Sequence, residues 1–411
     1  MLPCRLYSYS ATILPMTLLA KHRVAFSLAA AAFILIFAAI AIFWARGFKP
    51  NFKNGTIERT GLIVASSTPT GAQVYLDDRL TSATDTNIAY LAPKTYKVRI
   101  QKDGYTTWQK DIEIKADLAT EIKALLFPLA PEIKPLTTTG ATGPTLSPDY
   151  SKIAYGVGGD RGGLYIIEMS DTPFPFRQGP KQIAKNQNVF DFSGAGFIWG
   201  PDSKQLIAYF QNQQGASTAN LLIATDKTND ELRDITASLA ATLSSWQQDL
   251  ITNAQTQALL VPQNIKSATQ EAAVASPSPS PGNLVAQQPG NQLNYYPTGL
   301  IFSPDEEKIL YKDKAGQYKV YDLKAKKEST LPTFNDLASI SWYPDSNHLV
   351  VAQKDLISII EADGANKMTI YTGKFEDGFV FAHPSGTKLI ILTTLTQTEG
   401  TPANLYSINL R

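Results

Sequence analysis

A ten-residue unit, Phe302 to Tyr311 (F-S-P-D-E-E-K-I-L-Y), returns four more times along the chain, and no other feature restricts the fold so strongly. Aligned on their prolines, the five copies sit at Pro148, Pro201, Pro304, Pro344 and Pro384. Two residues before the proline stand Leu146, Trp199, Phe302, Trp342 and Ala382; five residues after it stand Ile153, Leu206, Ile309, Leu349 and Leu389. Proline fixes φ and donates no hydrogen bond, which suits the corner where a strand stops, and the following Asp (Ser385 in the last copy) can accept from nearby backbone N–H groups. Each unit therefore predicts strand, tight turn, strand. Hairpins that return about every 40 residues point to the blades of a β-propeller.

The rest of the composition agrees with a mainly β chain of more than one domain: 26 Gly, 25 Pro and 10% aromatic residues in 411. Lys plus Arg is 37 against 36 for Asp plus Glu, so there is no basic field to draw nucleic acid, and no nucleic-acid partner is expected. The only cysteine, Cys4, lies ahead of the apolar run described next, so an intramolecular disulfide, a thiolate metal cluster and a Cys nucleophile in the folded part are excluded.

Val24 to Trp44 contains no charge and no Pro, close to the roughly 20 apolar residues that span a bilayer core as a helix. We read 1–23 as a cytoplasmic leader and 24–45 as a transmembrane helix. A buried core helix is the alternative, but such helices are usually shorter and amphipathic. Lys21, His22 and Arg23 precede the run and Arg46, Lys49 and Lys53 follow it, so flanking charge does not fix orientation. The exported look of the β domains does: N-terminus inside, C-terminal domains outside, a single-pass protein of the cell membrane. A cleaved signal peptide is the runner-up, since Ala39-Ile40-Ala41 has the small residues of a cleavage site. No Cys follows, which excludes lipoprotein processing, and Met16 to Arg23 would make a compact basic leader if Met16 were the start.

After a polar tether, Asn51 to Thr60, residues 61–127 alternate like a half-buried antiparallel sheet, with strands expected at Leu62–Ala65, Gln73–Leu76, Tyr96–Ile100 and Asp111–Ile114. Turn residues separate them at Pro69-Thr70-Gly71, Asp77-Asp78 and Asp103-Gly104. The segment S-T-P-T-G-A-Q-V-Y-L-D-D at 67–78, the Tyr96-Lys97-Val98 strand and K-D-G-Y at 102–105 resemble the PEGA domain, whose name tetrad reads Pro69-Thr70-Gly71-Ala72 here. The sequence departs from the family at Lys94-Thr95, where a Gly is usual, and at Thr81 to Asp85, which replaces a Gly-Thr-Pro segment. The resemblance implies a small β-sandwich of the kind carried by bacterial surface proteins, with no catalytic residues.

Residues 128–140 form a linker that opens with three prolines in Pro128 to Pro135, a semi-rigid spacer, and the propeller is expected over 132–411 with five recognisable blades and room for a degenerate sixth. Closure requires Ile133 to Thr139 to pair with the C-terminal blade. Successive repeat prolines are 53, 103, 40 and 40 residues apart, so the array is interrupted once, by an insertion at 228–294. There Thr228-Asn229-Asp230-Glu231 has the form of a capping box, followed by Leu232, Ile235, Leu239, Leu243, Trp246 and Leu250 at helical steps, which predicts an amphipathic helix of about six turns. Pro262 should stop it; a second helical stretch is expected over Gln263–Ala275, and the Ser/Pro tract Ser276–Pro281 should be extended and exposed. The S-P-D hairpins resemble the WD40-like repeats of periplasmic TolB-type propellers, a scaffold with many unrelated roles.

Catalysis needs a residue placed once, whereas scaffolding places one residue type in every copy. Asp149, Asp202, Asp305 and Asp345 recur in one slot and read as turn acids. His348 shares the slot of Lys152, Gln205, Lys308 and Lys388, and His383 that of Ser147, Gly200, Ser303 and Tyr343, so both read as turn-flanking residues. No catalytic residue, metal site or cofactor is assigned: the sequence contains no G-x-S-x-G, Walker A, H-E-x-x-H or EF-hand pattern. Four unrepeated residues are candidates for partner binding. Arg161 lies in the glycine-rich tip Gly158–Gly163, where a mobile hairpin end is the plain alternative. Trp108 follows the Gly104-Tyr105 turn and either packs inside the sandwich or anchors a partner. Leu243 and Trp246 lie on the inserted helix, which either covers propeller surface or docks a partner. Asp77, Asp78 and Asp85 could gather around calcium, against the plain reading of solvated turn acids.

The sequence therefore points to a membrane-anchored surface protein that is not an enzyme and that binds or scaffolds envelope components, an envelope protein or a cell-wall polysaccharide, through its PEGA-like and propeller domains. The alternative is a propeller-type glycan hydrolase or lyase with acids at the channel mouth.

Overall fold

A computed structural model of the chain describes residues 16–45, 48–51, 56–169, 179–187, 189–259, 261–262, 265, 300–376, 378–395 and 400–411. Helix α1 (Met16–Ala45) contains a window, Ala25–Ile42, long and apolar enough to cross a membrane, and every side chain in that window is exposed. A soluble helix buries a stripe; the Ala25–Ile42 window buries none. Beyond it β1 (Phe48–Asn51) pairs antiparallel with β2 (Thr56–Arg59), so much of the expected polar tether is a hairpin whose backbone groups satisfy each other. The chain then divides into two compact units, one ending with Gln101 and Gln109–Leu125, the other made of Lys102–Trp108 and Leu126–Arg411.

In the first unit β3 (Gly61–Thr68), β4 (Gln73–Leu76), β5 (Arg79–Ala83), β6 (Thr86–Leu91), β7 (Thr95–Gln101), β8 (Trp108–Glu113) and β9 (Ala119–Leu125) build two sheets, ordered β6-β3-β9 and β5-β4-β7-β8. Alternation sets the core: Ile63 and Ala65 of β3, Val74 and Leu76 of β4, and Tyr96, Val98 and Ile100 of β7 are buried, with polar residues between them. The expected strands lie in β3, β4, β7 and β8, the last shifted toward the N-terminus; β5, β6 and β9 are additional. The sheets are not wholly antiparallel. β9 runs parallel to β3, from Leu62 opposite Ala119 to Thr68 opposite Leu125, because the strands between them supply the long crossover that parallel pairing requires. Asp77 and Asp78 both adopt positive φ (48° and 64°) and make the two-residue turn from β4 to β5, a conformation that favours Asp, Asn and Gly.

The second unit opens with β10 (Ile133–Pro135), then carries five four-stranded sheets. Blade one is β11 (Thr142–Leu146), β12 (Lys152–Val157), β13 (Gly163–Glu168) and β14 (Lys181–Lys185). Blade two is β15 (Gly196–Trp199), β16 (Gln205–Gln211), β17 (Ser217–Ala224) and β18 (Arg233–Asp234), followed by helix α2 (Leu239–Ala258). Blade three is β19 (Ile301–Phe302), β20 (Lys308–Lys312), β21 (Tyr318–Asp322) and β22 (Lys327–Thr330); blade four is β23 (Leu337–Trp342), β24 (His348–Gln353), β25 (Leu356–Glu361) and β26 (Met368–Thr372). Blade five is β27 (Val380–Ala382), β28 (Lys388–Thr393) and β29 (Asn404–Asn409), completed on its outer edge by β10. The closure joins Ile133 to Ile408, Lys134 to Ser407 and Pro135 to Tyr406. Part of the expected spacer is thus a blade strand. The unit is a β-propeller closed by its own two ends, a device that leaves no long free sheet edge.

The five S-P-D units are the first hairpin of each blade. Their two marker positions are cross-strand partners in every copy: Leu146 with Ile153, Trp199 with Leu206, Phe302 with Ile309, Trp342 with Leu349 and Ala382 with Leu389. The residue two after the proline takes positive φ throughout: Tyr150 60°, Ser203 56°, Glu306 57°, Ser346 59° and Gly386 64°.

Packing between blades follows strand alternation. Leu206 and Ala208 of β16 pack with Ala154, Leu164 and Ile166 of blade one, whereas Leu310 and Val320 of blade three pack with Leu349, Val351 and Ile360 of blade four. The opposite faces of blades two and three are covered by the insertion: Leu243 and Trp246 pack with Ile207 and Ile235, while Val261 and Ile265 pack with Phe302, Ile309 and Tyr311. Among the described residues, it is the insertion that packs on both of those faces. Its helix begins later than the capping-box pattern predicts. Asn229 turns its amide onto Ala224, Lys227 and the Ile183 carbonyl, Arg233–Asp234 completes blade two as β18, and helix follows only after a 3-10 turn at Thr236–Ser238. The expected stretch Gln263–Ala275 (apart from Ile265) and the Ser/Pro tract Ser276–Pro281 lie outside the described residues.

Candidate functional site

A propeller's usual place for chemistry is its axis. β11 contacts β15 and β23 contacts β27, so the first strand of each blade is the one nearest that axis. These strands read T-G-P-T-L, G-F-I-W, I-F, L-A-S-I-S-W and V-F-A, and none carries an ionisable side chain. Their two tryptophans instead bind the preceding blade: the Trp199 indole donates to Thr145 Oγ1 (3.0 Å) and that of Trp342 to the Ile301 carbonyl (2.9 Å).

The repeated acids are occupied within their turns. Ser147 Oγ donates to Asp149 Oδ1 (2.7 Å) and Ser303 Oγ to Asp305 Oδ1 (2.6 Å), and each carboxylate also accepts the N–H two residues on, from Ser151 and Glu307. Burial works to raise both carboxyls, but these hydrogen bonds, with others from Ser203 and Ser346, outweigh it and hold both below the ordinary value. The same turns stitch neighbouring blades: Asp149 N–H donates to Ser203 Oγ (3.2 Å) and Asp305 N–H to Ser346 Oγ (3.1 Å). The two histidines belong to the same device. His383 and Ser385 share a hydrogen bond from Nδ1 to Oγ (2.7 Å), repeating the Ser147–Asp149 contact, and His348 Nδ1 lies 2.6 Å from Asp345 Oδ2.

One unrepeated polar cluster stands away from the axis, on β20 to β22. Tyr311 Oη donates to Glu328, Lys319 Nζ lies 2.8 Å from Glu328 Oε1, and Asp313 lies 3.6 Å from Lys319. Lys319 and then the Tyr311 hydroxyl hold the Glu328 carboxyl down, and burial with Glu328 pushes the Tyr311 hydroxyl up. The arrangement is a closed ion-pair network. Among the described residues no group of three or more His, Cys, Asp or Glu could hold a metal ion.

The four sequence candidates have different fates. Leu243 and Trp246 are buried on the blade-two face, 4% and 9% exposed. Arg161 is exposed, at a tip held by hydrogen bonds from Gly162 N–H to Gly159 and from Asn186 N–H to Gly162 (2.8 and 3.1 Å). Trp108 is 3% exposed and its indole donates to Glu361, a buried carboxylate that also accepts from Asn366 Nδ2 (2.9 Å) within the second unit. The structure does not bring Trp108, Arg161 and the inserted helix to one place. The turn acids Asp77 and Asp78 meet cations of the chain: Lys94 2.6 Å from Asp77, Arg99 3.4 Å and Lys97 3.7 Å from Asp78. Asp85 accepts from the Ser67 N–H (3.3 Å).

What sequence reasoning passes over is the outward face of β4 and β7. Gln73, Tyr75, Arg99 and Gln101 interlock there, a set visible in sequence only as the outward phase of two alternating strands.

Comparison with known proteins fits this division. Residues 60–128 match the family model of the PEGA domain, and that segment is a PEGA domain. No curated protein matches the chain. Among solved structures, the chain is similar to a protein assigned as TolB from Agrobacterium tumefaciens, at 14% identity, covering 69% of this chain and 79% of that one with a TM-score of 0.23. It is also similar to a luciferin-regenerating enzyme, at 11% identity, covering 68% and 95% with a TM-score of 0.31. The propeller assignment rests on the sheet order and closure described above.

Proposed function

We propose that this chain is a single-pass membrane protein that displays its PEGA domain and propeller outside the cytoplasm, where it binds or scaffolds envelope components without turning them over. The observation that carries the non-enzymatic reading is the absence of ionisable side chains from the five strands nearest the propeller axis. A glycan hydrolase or lyase needs a placed pair of carboxylates or an acid and a base. Asp149 and Asp305 are committed to their own turns, and Glu328 is closed in an ion pair. Display outside the cytoplasm is supported by the apolar, unburied helix α1 and by the extracytoplasmic character of PEGA domains.

The test is retention of envelope material by the detergent-solubilised full chain on beads, with reducing ends measured in the same samples. Specific retention of an envelope protein or glycan with no rise in reducing ends is expected. Release of new reducing ends would replace the binding reading by the enzymatic one.

A further inference from the structure

Two large side chains stand exposed at the end of the PEGA domain that receives the chain from α1. Tyr90 of β6 leaves 54% of its surface in water, and Leu118, in the loop between β8 and β9, leaves 56%. They flank the first residues of β3: Leu91 pairs with Gly61 on one side, Ala119 with Leu62 on the other, and the Leu118 carbonyl accepts the Leu62 N–H (3.1 Å). Exposed apolar residues scattered singly need no explanation, but the backbone at Tyr90 is unusual as well. The register sets Ala89 and Tyr90 against the single residue Leu62, a β-bulge, and Tyr90 takes a φ of 60° there, a costly conformation for a bulky side chain. Strain of this kind persists where a side chain must be presented at a fixed place.

The same end is held near the end of α1. Only residues 46 and 47 separate Ala45 from Phe48, a reach of at most about 11 Å, and Phe48 pairs with Arg59 across the β1–β2 hairpin at about 5 Å. Arg59 in turn bridges Asp117 (2.5 Å), and the Asp117 N–H donates to the Thr60 carbonyl (3.0 Å), so the loop that bears Leu118 is clasped to the incoming chain. With Ala25–Ile42 across the hydrocarbon core, the residues beyond it rise by about 4.5 Å, which leaves Ala45 among the lipid headgroups. We propose that Tyr90 and Leu118 seat the PEGA domain in the headgroup layer of the bilayer that holds α1. The inference rests on the membrane-anchor reading above and adds the face that meets lipid. A phenol suits that layer, where its ring can lie among apolar groups while its hydroxyl stays wet. The nearest charges are paired, Arg59 with Asp117 and Lys115 with Glu113 (4.0 Å), so apolar and aromatic contact selects the surface.

Quenching by nitroxide-labelled phosphatidylcholine tests this, in phosphatidylcholine liposomes holding the full chain with a fluorophore on a single introduced cysteine. Cys4→Ser removes the only native one. Fluorescence should be lost from labels at Leu118→Cys and at Phe33→Cys in α1, and kept at Thr70→Cys, in the turn at the other end of the eight-residue β3. Tyr90→Gly, which removes the ring and suits the positive φ, should reduce quenching at position 118 without lowering the thermal midpoint. Quenching at Phe33 without quenching at Leu118 would overturn the seat and leave the anchor intact. So would equal quenching at Leu118 and Thr70, quenching at Leu118 that Tyr90→Gly does not change, or a lowered midpoint in that variant. No quenching at Phe33 would overturn the anchor reading, and the seat with it.

Discussion

The ring of Trp246 lies against the α-carbon of Gly200: a Cβ at Gly200 would stand 3.0 Å from Trp246 Cζ2. Gly200 occupies the slot that holds Ser147, Ser303, Tyr343 and His383 in the other blades. The one glycine of that slot is the one beneath the inserted helix. The contact explains both an exception in the repeat and the seat of α2.

Trp246→Ala should lower stability by about 3–5 kcal/mol, the usual range for a buried Trp, and Gly200→Ala by about 1 kcal/mol or more through overpacking. If the close approach is the cause, the cost of Gly200→Ala should disappear in the Trp246→Ala background. Chemical denaturation of the four proteins of this double-mutant cycle measures the coupling. Additive losses would mean that Gly200 is required for another reason.

Closure of the propeller is expected to depend on Asn404. Its Oδ1 accepts from Thr137 Oγ1 and Gly140 N–H, both at 3.0 Å, and Thr137 Oγ1 accepts from Leu405 N–H at 2.9 Å. Asn404→Leu would leave two buried donors without an acceptor, at about 1–3 kcal/mol each. Hydrogen exchange should show the loss first in Ile133–Pro135 and its partner Tyr406–Ile408.

Acid should weaken the propeller through its turn carboxylates. Asp149 and Asp305 have folded pKa values below their ordinary one, so their stabilisation is present above about pH 4 and is lost as pH falls through the depressed folded values. Asp149→Asn with Asp305→Asn should be less stable at pH 7 and show a flatter decline between pH 5 and pH 3. Denaturation midpoints at both ends of that window check this; parallel curves for variant and wild type would contradict it.

An opposite window applies to Tyr343, fully buried, whose hydroxyl donates to the Gly386 carbonyl. Burial, with Asp345 adding and Arg411 opposing, pushes its pKa up to about 12. Its share of stability is complete below the ordinary tyrosine value of about 10 and is lost as pH rises through 12. Tyr343→Phe should soften the alkaline loss measured from pH 9 to pH 12.

The hairpins were readable because their information is local. A strand residue, a Pro-Asp corner and a returning strand residue lie within eight positions, and the pairing of Trp342 with Leu349 follows from that spacing. The helix start was misread for the opposite reason: Thr228 to Glu231 has the local form of a cap, but Asn229 is claimed by Ala224 and by Ile183, 46 residues away. The parallel pairing of β9 with β3 was hidden because alternation reports which face a residue takes and not which strand lies beside it. Trp108 was legible as an unrepeated aromatic, yet its partner Glu361 lies 253 residues on. The outward face of β4 and β7 shows the same limit: Q-x-Y and R-x-Q mark outward positions, and only the register brings Tyr75 against Arg99.

The most direct test of the account is protease treatment of intact cells expressing the full chain, followed by detection of the propeller and of α1 in the membrane fraction. A displayed, anchored protein should lose its propeller while the cells are intact and keep α1 in the membrane. A propeller that survives until lysis, or a chain that leaves the membrane fraction without detergent, would contradict it.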